Sequence, residues 1–263
     1  MHMATASTPA LWFEPAPRHF DLRLAWWIKL LVFAAATIIA LLFLDAPIAV
    51  WARAHPVADL AYWPPTITAM DTTAPSRTLP PRGDVGRELM FLEQYGQLAC
   101  TVVVVLAVAC LDPKGRRRAL AVAMACLLTL LVTHLIKDFA GRSRPFANSR
   151  EVPGSEHGLW LWRGPWQFSS SWGSFPSGHT TAAFALASSL SWFYPRGRAL
   201  FMTLALITAT QRILHTAHYL SDVTAGIAIG VLTTRATLDH KLPGRLLALL
   251  PPNARTWWLQ DAP

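Results

Sequence analysis

The sequence predicts an all-α membrane protein, a polytopic bundle of six transmembrane helices. Of its 263 residues, 53% are apolar and only 14% are charged, against about 25% charged residues in typical soluble domains. The apolar residues form runs, and several runs approach the ~20 residues that a helix needs to cross a bilayer. We therefore expect one integral membrane domain over residues 1–263, with its core at 24–235 and a cytoplasmic tail at 236–263.

Six segments are the predicted spans. The first, 26–44, opens with Trp26, Trp27 and Lys29, residue types that anchor helices at membrane interfaces. The last three are short for a full span, but they are rich in Ala, Ser, Thr and Gly, which allow helices to approach closely. The second to sixth spans are 96–111, 119–137, 177–194, 199–214 and 219–234.

The basic residues indicate the orientation of these spans. The net charge is +8, yet Lys and Arg are scattered at segment ends without interleaved aromatics, so nucleic acid is not an expected partner. Residues 114–118 hold four basic residues in five, and residues 195–198 hold two in four. Short loops rich in Lys and Arg face the cytoplasm, so the connections 45–95 and 146–175 are expected on the opposite side.

These two outer connections and the cysteines have simple interpretations. Prolines predict little regular structure across most of 45–95, although its end, 87–95, is apolar enough to lie along the interface. The four tryptophans of 146–175 are typical of an aromatic belt, and a wall of a substrate cleft is the alternative. The cysteines lie in apolar runs and are expected to be small buried hydrophobic residues. The tryptophans are Trp160, Trp162, Trp166 and Trp172, and the cysteines are Cys100, Cys110 and Cys126.

Three clusters of charged and polar residues stand at the ends of apolar segments on the predicted outer side. Ionisable groups are costly there, so their concentration indicates a functional site. Arginine binds phosphate oxygens with a planar fork, and lysine acts as a point charge. The clusters are Lys137 with Arg144 and Pro145, then Pro176-Ser177-Gly178-His179, then Arg212 with His218 and Asp222.

These residue types suit attack on a phosphate. Ser177 and Gly178 begin an apolar helix, whose first N–H groups attract anions, and His179 is placed to protonate a leaving oxygen. His218 and Asp222 are four residues apart and would share one helix face, so the carboxylate can fix one ring nitrogen and leave the other to attack. Because phosphoryl transfer depends on positioning and charge neutralisation, we expect no metal or other cofactor.

The segments KDFAGRSRP, PSGH and RILHTAHYLSD resemble the three signatures of the type 2 phosphatidic acid phosphatase (PAP2) family, which shares its site with vanadium-dependent haloperoxidases. The resemblance implies that His218 is the nucleophile and forms a phosphohistidine, that Asp222 orients it, and that His179 serves as acid and then as base. It implies that the phosphoryl oxygens are held by Lys137, Arg144, Ser177, Gly178 and Arg212. One departure is Gln211, which stands where many members have Ser.

The resemblance also implies a lipid phosphatase of a bacterial inner membrane with its site facing the periplasm. The expected partners are the bilayer and a lipid phosphate or diphosphate: undecaprenyl diphosphate, phosphatidate, phosphatidylglycerol phosphate or lipid A. Two other functions stay open, a lipid phosphotransferase using the same site and a non-catalytic membrane protein. The sequence does not indicate the oligomeric state.

Other polar residues near the clusters are expected to have lesser roles. Arg142, Arg150 and Arg163 are expected to extend towards the headgroups, and a contact with a second phosphate is a weaker reading of Arg142. His215, three residues before His218, is expected to pack near the site, and a zinc site with His218 and Asp222 is a minor alternative.

Overall fold

The computed structural model describes residues 26–54, 91–145, 162–165, 172–249 and 251, and these are helical apart from turns and one isolated bridge between Arg142 and Trp162. The all-α class is therefore confirmed for the described part of the chain. The α-helices, numbered here in chain order, are α1 Trp26–Ile39, α2 Asp45–Ala54, α3 Leu98–Leu111, α4 Gly115–Ala140, α5 Gly178–Phe193, α6 Arg198–Leu214, α7 Leu220–Asp239 and α8 Leu242–Ala248.

The first helix is longer than the sequence predicted. A π-helical turn, Ala40–Leu44, joins α1 to α2, and Asp45 N–H donates to the Ala40 carbonyl five residues back. The prediction ended this helix at Leu44, where the predicted outer connection 45–95 begins. It was wrong because the π turn lets the helix continue, and it carries Asp45 into the bundle, where that side chain is buried.

Helix α5 lies at the centre of the bundle, in contact with α4, α6 and α7. Many of its buried positions are small, among them Ala183, Ala185 and Ser189. On α7, a Cβ added at Gly230 would stand 2.7 Å from the Thr181 carbonyl oxygen, so glycine is required for this close approach. The expected packing through small residues is thus confirmed.

The outer surface of the bundle is apolar. Within the described residues, two helices are long and apolar enough to cross a membrane, Trp27–Ala52 and Gly115–Ala140. Large hydrophobic side chains such as Phe43, Val103 and Leu127 are exposed along α1–α4. A contiguous apolar surface of this kind suits lipid rather than water. Cys110 is also exposed, and Cys100 and Cys126 are half-buried, so the expectation of buried cysteines was wrong for Cys110, which lies on this outer face.

The three charged clusters and the basic loops lie at opposite ends of the bundle. The loops 112–118 and 194–198 meet where Asp112 accepts hydrogen bonds from Tyr194 (2.6 Å) and Arg118 (2.5 Å). Lys137 lies 19 residues after Arg118 on α4, which is roughly 28 Å along the helix at 1.5 Å per residue. The clusters therefore share the end that the charge pattern assigned to the outer side.

The predicted tail begins as part of the bundle. Helix α7 continues to Asp239, beyond the predicted end at 234, and α8 packs back against it with Pro243 and Leu247 buried. The folded core therefore extends past residue 235, where the predicted tail starts.

Candidate active site

Helix α4 delivers the first cluster. It ends at Gly141, which adopts a left-handed φ of +56°, and a Cβ there would stand 2.1 Å from the Gly164 carbonyl oxygen. The Lys137 side chain reaches the start of α5, where its Nζ lies 3.8 Å from where a Cβ on Gly178 would be. Lys137 therefore places its charge beside the first turn of α5.

Helix α5 begins directly after Ser177, but the serine side chain does not cap it. The Ser177 hydroxyl lies 2.9 Å from that of Thr180, and its backbone N–H donates to the Asp222 carbonyl at 3.0 Å. Ser177 thus joins the starts of α5 and α7. The N–H groups of Gly178, His179 and Thr180 have no acceptor within the helix, so the first turn of α5 can present donors to an anion.

His218 lies in the tight loop between α6 and α7, not on a helix. The loop is held by two N–H groups, of Ala217 and His218, that both donate to the Arg212 carbonyl (3.1 and 3.2 Å). The expectation that His218 and Asp222 share a helix face was wrong, because α7 begins only at Leu220. The two residues are nevertheless close, with His218 Nδ1 3.6 Å from Asp222 Oδ2.

A backbone carbonyl fixes the tautomer of His218. Nδ1 lies 2.8 Å from the Ser174 carbonyl oxygen, nearer than it lies to Asp222. Since a carbonyl can only accept, Nδ1 carries the proton and the lone pair of the neutral ring is on Nε2. Burial lowers the pKa of His218 to about 3, and the charges of Arg144 and Lys137 act in the same direction while Asp222 opposes them. The ring is therefore neutral at physiological pH, as a nucleophile must be.

Asp222 is held by donors on three sides. Its carboxylate accepts hydrogen bonds from Arg142 (2.6 Å), the Ser174 hydroxyl (2.5 Å) and the Tyr219 N–H (2.9 Å). The last of these closes the start of α7, whereas the predicted hydrogen bond from His218 is replaced by one to the Ser174 carbonyl. Asp222 therefore acts on His218 chiefly through its charge and by holding Ser174.

Arg142 does not extend towards the headgroups. Its side chain is 0% exposed and donates to Asp222, to Asp45 (2.8 Å) and to the Ser221 hydroxyl (2.6 Å). The expectation of an interfacial arginine was wrong, because two buried carboxylates from distant segments bind it inside the bundle. Its NH1 and NH2 groups are engaged there, so they are not presented to a second phosphate.

Arg212, at the last turn of α6, is paired with Glu93. Arg212 NH2 lies 2.5 Å from Glu93 Oε2, and Gln211 Nε2 donates to the same oxygen at 3.1 Å. Gln211 Oε1 accepts from Arg212 NH2 at 3.3 Å, so the residue that departs from the family pattern supports the arginine. The other Glu93 oxygen, Oε1, lies 3.4 Å from His179 Nε2.

Arg144 completes the cationic lining. Burial lowers the pKa of its guanidinium, the charge of Asp222 raises it, and that of Arg212 lowers it, so the three groups are close enough to interact. An arginine stays protonated in such surroundings. His179, His218 and Asp222 are thus surrounded by Lys137, Arg144 and Arg212, which is the assembly that the sequence predicted.

Two of the tryptophans lie beside this assembly. Trp162 faces the Arg142 guanidinium at 5.1 Å and meets Phe175 edge to face at 5.5 Å. Trp172 is buried under the Arg163 guanidinium at 4.2 Å, so Arg163 stacks on the loop. These contacts favour a wall of the site over a belt for both residues. Trp160, Trp166 and Arg150 lie outside the described residues.

Sequence reasoning missed three participants: Glu93, Asp45 and Ser174. An acidic residue in or beside an apolar run was an available signal for the first two. Ser174 acts partly through its backbone carbonyl, which no residue type reveals. Within the described segments, no three His, Cys, Asp or Glu side chains are grouped closely enough to hold a metal ion.

Comparison with known proteins identifies the segment that carries this assembly. A sequence model of the PAP2 superfamily matches residues 118–240, which contain all three clusters. This segment belongs to the PAP2 superfamily. Its membership accounts for the clusters, whereas Asp45 and Glu93 lie before it in the chain.

Two curated relatives of this PAP2 segment are lipid A 1-phosphatases. The protein of Rhizobium johnstonii (strain DSM 114642 / LMG 32736 / 3841) is 34% identical over 100 residues, 38% of each chain. That of Rhizobium etli (strain ATCC 51251 / DSM 11541 / JCM 21823 / NBRC 15573 / CFN 42) is 33% identical over 100 residues, 38% of this chain and 40% of the relative. The alignments thus span about two fifths of those proteins.

A solved structure is also similar, that of a transmembrane PAP2-type phosphatidylglycerolphosphate phosphatase from Bacillus subtilis. It superimposes with a TM-score of 0.46 at 15% identity, over 82% of this chain and 93% of that one.

Proposed function

We propose that this protein is an integral membrane phosphatase that hydrolyses a lipid phosphate through a phosphohistidine on His218. The observation that carries the proposal is the state of the His218 ring. It is neutral, its Nδ1–H is bound to the Ser174 carbonyl, and Lys137 and Arg144 are near enough to lower its pKa. A fixed neutral imidazole beside cations is suited to attack a phosphorus whose oxygens those cations bind.

The reaction has two steps. The Nε2 lone pair of His218 forms a bond to phosphorus, the bond to the lipid oxygen breaks, and His179 gives its proton to that oxygen. Water then attacks the phosphohistidine while His179 takes up its proton, the P–N bond breaks, and phosphate leaves. Lys137, Arg144, Arg212 and the first turn of α5, with Ser177 and Gly178, neutralise the phosphoryl oxygens in both steps. Because these cations supply the charge, we expect no requirement for a metal ion.

The membrane arrangement follows from the helices. The apolar outer faces of α1, α3 and α4 and the two helices of spanning length support a bilayer location. We propose six spans, with α1 and α2 forming the first and α3 to α7 the others. The site lies at the end of the bundle opposite the basic loops. Because short basic loops face the cytoplasm, we place the site on the extracytoplasmic side of a bacterial inner membrane.

Among lipid phosphates, the phosphates of lipid A are the first substrates to test, since the two relatives are lipid A 1-phosphatases. The burial of Arg142 removes the one sequence feature that pointed to a diphosphate. Phosphatidate, phosphatidylglycerol phosphate and undecaprenyl diphosphate complete the panel.

The test is phosphate release by the detergent-purified protein with EDTA present. We expect release from at least one lipid, and its loss by a factor of about 10³ or more in His218→Ala. The matched control is His240→Ala, because this exposed histidine ends α7, roughly 33 Å along the helix from His218. Retained release in His218→Ala, with the control active and both variants folded, contradicts the proposal. Transfer to an added lipid alcohol without free phosphate would identify a phosphotransferase instead.

A further inference from the structure

We propose that Glu93 is the positioning residue of the general acid, orienting the His179 ring through Nε2 and holding Arg212 in place beside it. The inference rests on the proposed function and adds to it a residue outside the three clusters and outside the PAP2 segment. It stands on the geometry of one carboxylate that contacts two members of the candidate site.

The two Glu93 oxygens are divided between these partners. Oε2 lies 2.5 Å from Arg212 NH2 and accepts from Gln211 Nε2, and Oε1 lies 3.4 Å from His179 Nε2. The Glu93 side chain is 16% exposed, so its charge is only partly screened by water. Helical residues 91–96 bring it in, and Gly96 lies so close to α5 that a Cβ there would stand 2.4 Å from the His179 carbonyl oxygen. The backbone contact therefore keeps the carboxylate in register with His179.

The Glu93 carboxylate opposes the other charges around His179. Burial of the ring acts most strongly against its charged form, the cations Arg212, Arg144 and Lys137 act in the same direction, and Glu93 is the opposing charge. A general acid must hold a proton when the leaving oxygen departs, and three neighbouring cations disfavour the imidazolium. Glu93 offsets them at Nε2, so that the other ring nitrogen can give its proton to the lipid oxygen as the P–O bond breaks.

Arg212 gains a fixed orientation from the same contact. Its NH2 group is held by Glu93 and Gln211, whereas Nε is buried without a hydrogen-bond partner within the described residues. The guanidinium thus keeps donor capacity for an incoming phosphoryl oxygen. One carboxylate therefore couples the group that binds phosphate to the group that protonates the leaving oxygen.

The experiment compares two leaving groups. An alkoxide such as the lipid oxygen needs a proton to leave, whereas p-nitrophenolate leaves well without one. In Glu93→Gln, which keeps the size but removes the charge, we expect kcat on the lipid phosphate to fall about 10–100-fold more than kcat on p-nitrophenyl phosphate, and KM to rise for both substrates because Arg212 loses its anchor. Glu93→Asp restores the charge and should recover part of the lipid activity.

The matched control is Asp112→Asn, because Asp112 is also a carboxylate paired with an arginine, Arg118, but at the other end of the bundle. Its loss is expected to leave the ratio of the two kcat values unchanged. If Glu93→Gln lowers both kcat values equally or neither, the inference is overturned while the proposed function stands. If the unaltered protein releases no phosphate from either substrate, the proposed function fails and the inference with it.

Discussion

Replacing Arg142 by methionine tests how strongly the buried charges hold the bundle together. Arg142 donates three hydrogen bonds to groups on two other segments, Asp45 on α2 and Asp222 and Ser221 on α7. All four side chains are at most 1% exposed. Methionine keeps an unbranched side chain but removes the guanidinium that faces the Trp162 and Tyr219 rings, and it leaves two carboxylates buried without their cation.

The expected cost is large because those carboxylates cannot reach water. Breaking a buried pair by removing one partner costs about 3–5 kcal/mol. Asp222 retains two donors, Ser174 and the Tyr219 N–H, and Asp45 retains the Ser221 hydroxyl and N–H. These remaining bonds favour the lower part of that range. At roughly 2–4 °C per kcal/mol for chains of this class, Tm should fall by about 6–15 °C.

Thermal unfolding in detergent, followed by the fluorescence of the 12 tryptophans, measures this shift. The companion variants are Asp45→Asn and the double variant Arg142→Met/Asp45→Asn. Asp45→Asn removes a carboxylate charge that Arg142→Met leaves buried without its cation. The double variant should therefore lose less free energy of unfolding than the sum of the two single losses, by about 1.5–3 kcal/mol. A loss below ~1 kcal/mol in Arg142→Met, or simple additivity, would refute the view that this network stabilises the fold.

Two further predictions concern stability. The pKa of His218 is about 3 in the folded protein against an ordinary value of 6.5, so between those pH values the unfolded chain binds more protons than the folded one. The free energy of unfolding should therefore fall as pH drops below 6.5, by up to roughly 1.4 kcal/mol per pH unit. The fall should be less steep in His218→Gln. Parallel curves of Tm against pH for the two proteins would contradict this. Gly230→Ala should cost about 1–3 kcal/mol through overpacking against Thr181, measured as a loss of Tm with unchanged helix content by circular dichroism.

Much of the helical architecture was readable from the sequence because hydropathy and end signals are local. The predicted segments 177–194 and 199–214 correspond to α5, Gly178–Phe193, and α6, Arg198–Leu214. The predicted first helix ended too early at Leu44, because a π turn leaves no sequence pattern of its own. The alternation of basic loops and charged clusters also indicated which helix ends would meet.

The candidate site was only partly predictable, for a reason of distance along the chain. The clusters identify side chains whose types bind or attack phosphate, and these do assemble. Glu93 and Asp45 contact Gln211 and Ser221 across separations of more than 100 residues. Their position in or beside apolar runs is a local signal, but nothing local indicates which distant residues they contact. Arg142 was misread for the same reason, since its burial depends on both Asp45 and Asp222.

The division of labour around His218 leads to a last prediction, for Asp222→Asn. In serine proteases, the corresponding exchange of the orienting aspartate costs about 10⁴-fold in kcat because asparagine imposes the wrong tautomer. Here the tautomer is set by the Ser174 carbonyl at 2.8 Å, and a carbonyl cannot donate. The Asp222→Asn exchange would therefore weaken the stabilisation of the charged ring without reversing its proton.

We expect Asp222→Asn to lower kcat by about 10–10³-fold, clearly less than His218→Ala, and to lower Tm because Arg142 loses a buried anion. Single-turnover release of phosphate separates the two effects, since it is measured on protein already shown to be folded. A kcat loss as large as that of His218→Ala would mean that Asp222, rather than the backbone of Ser174, fixes the ring.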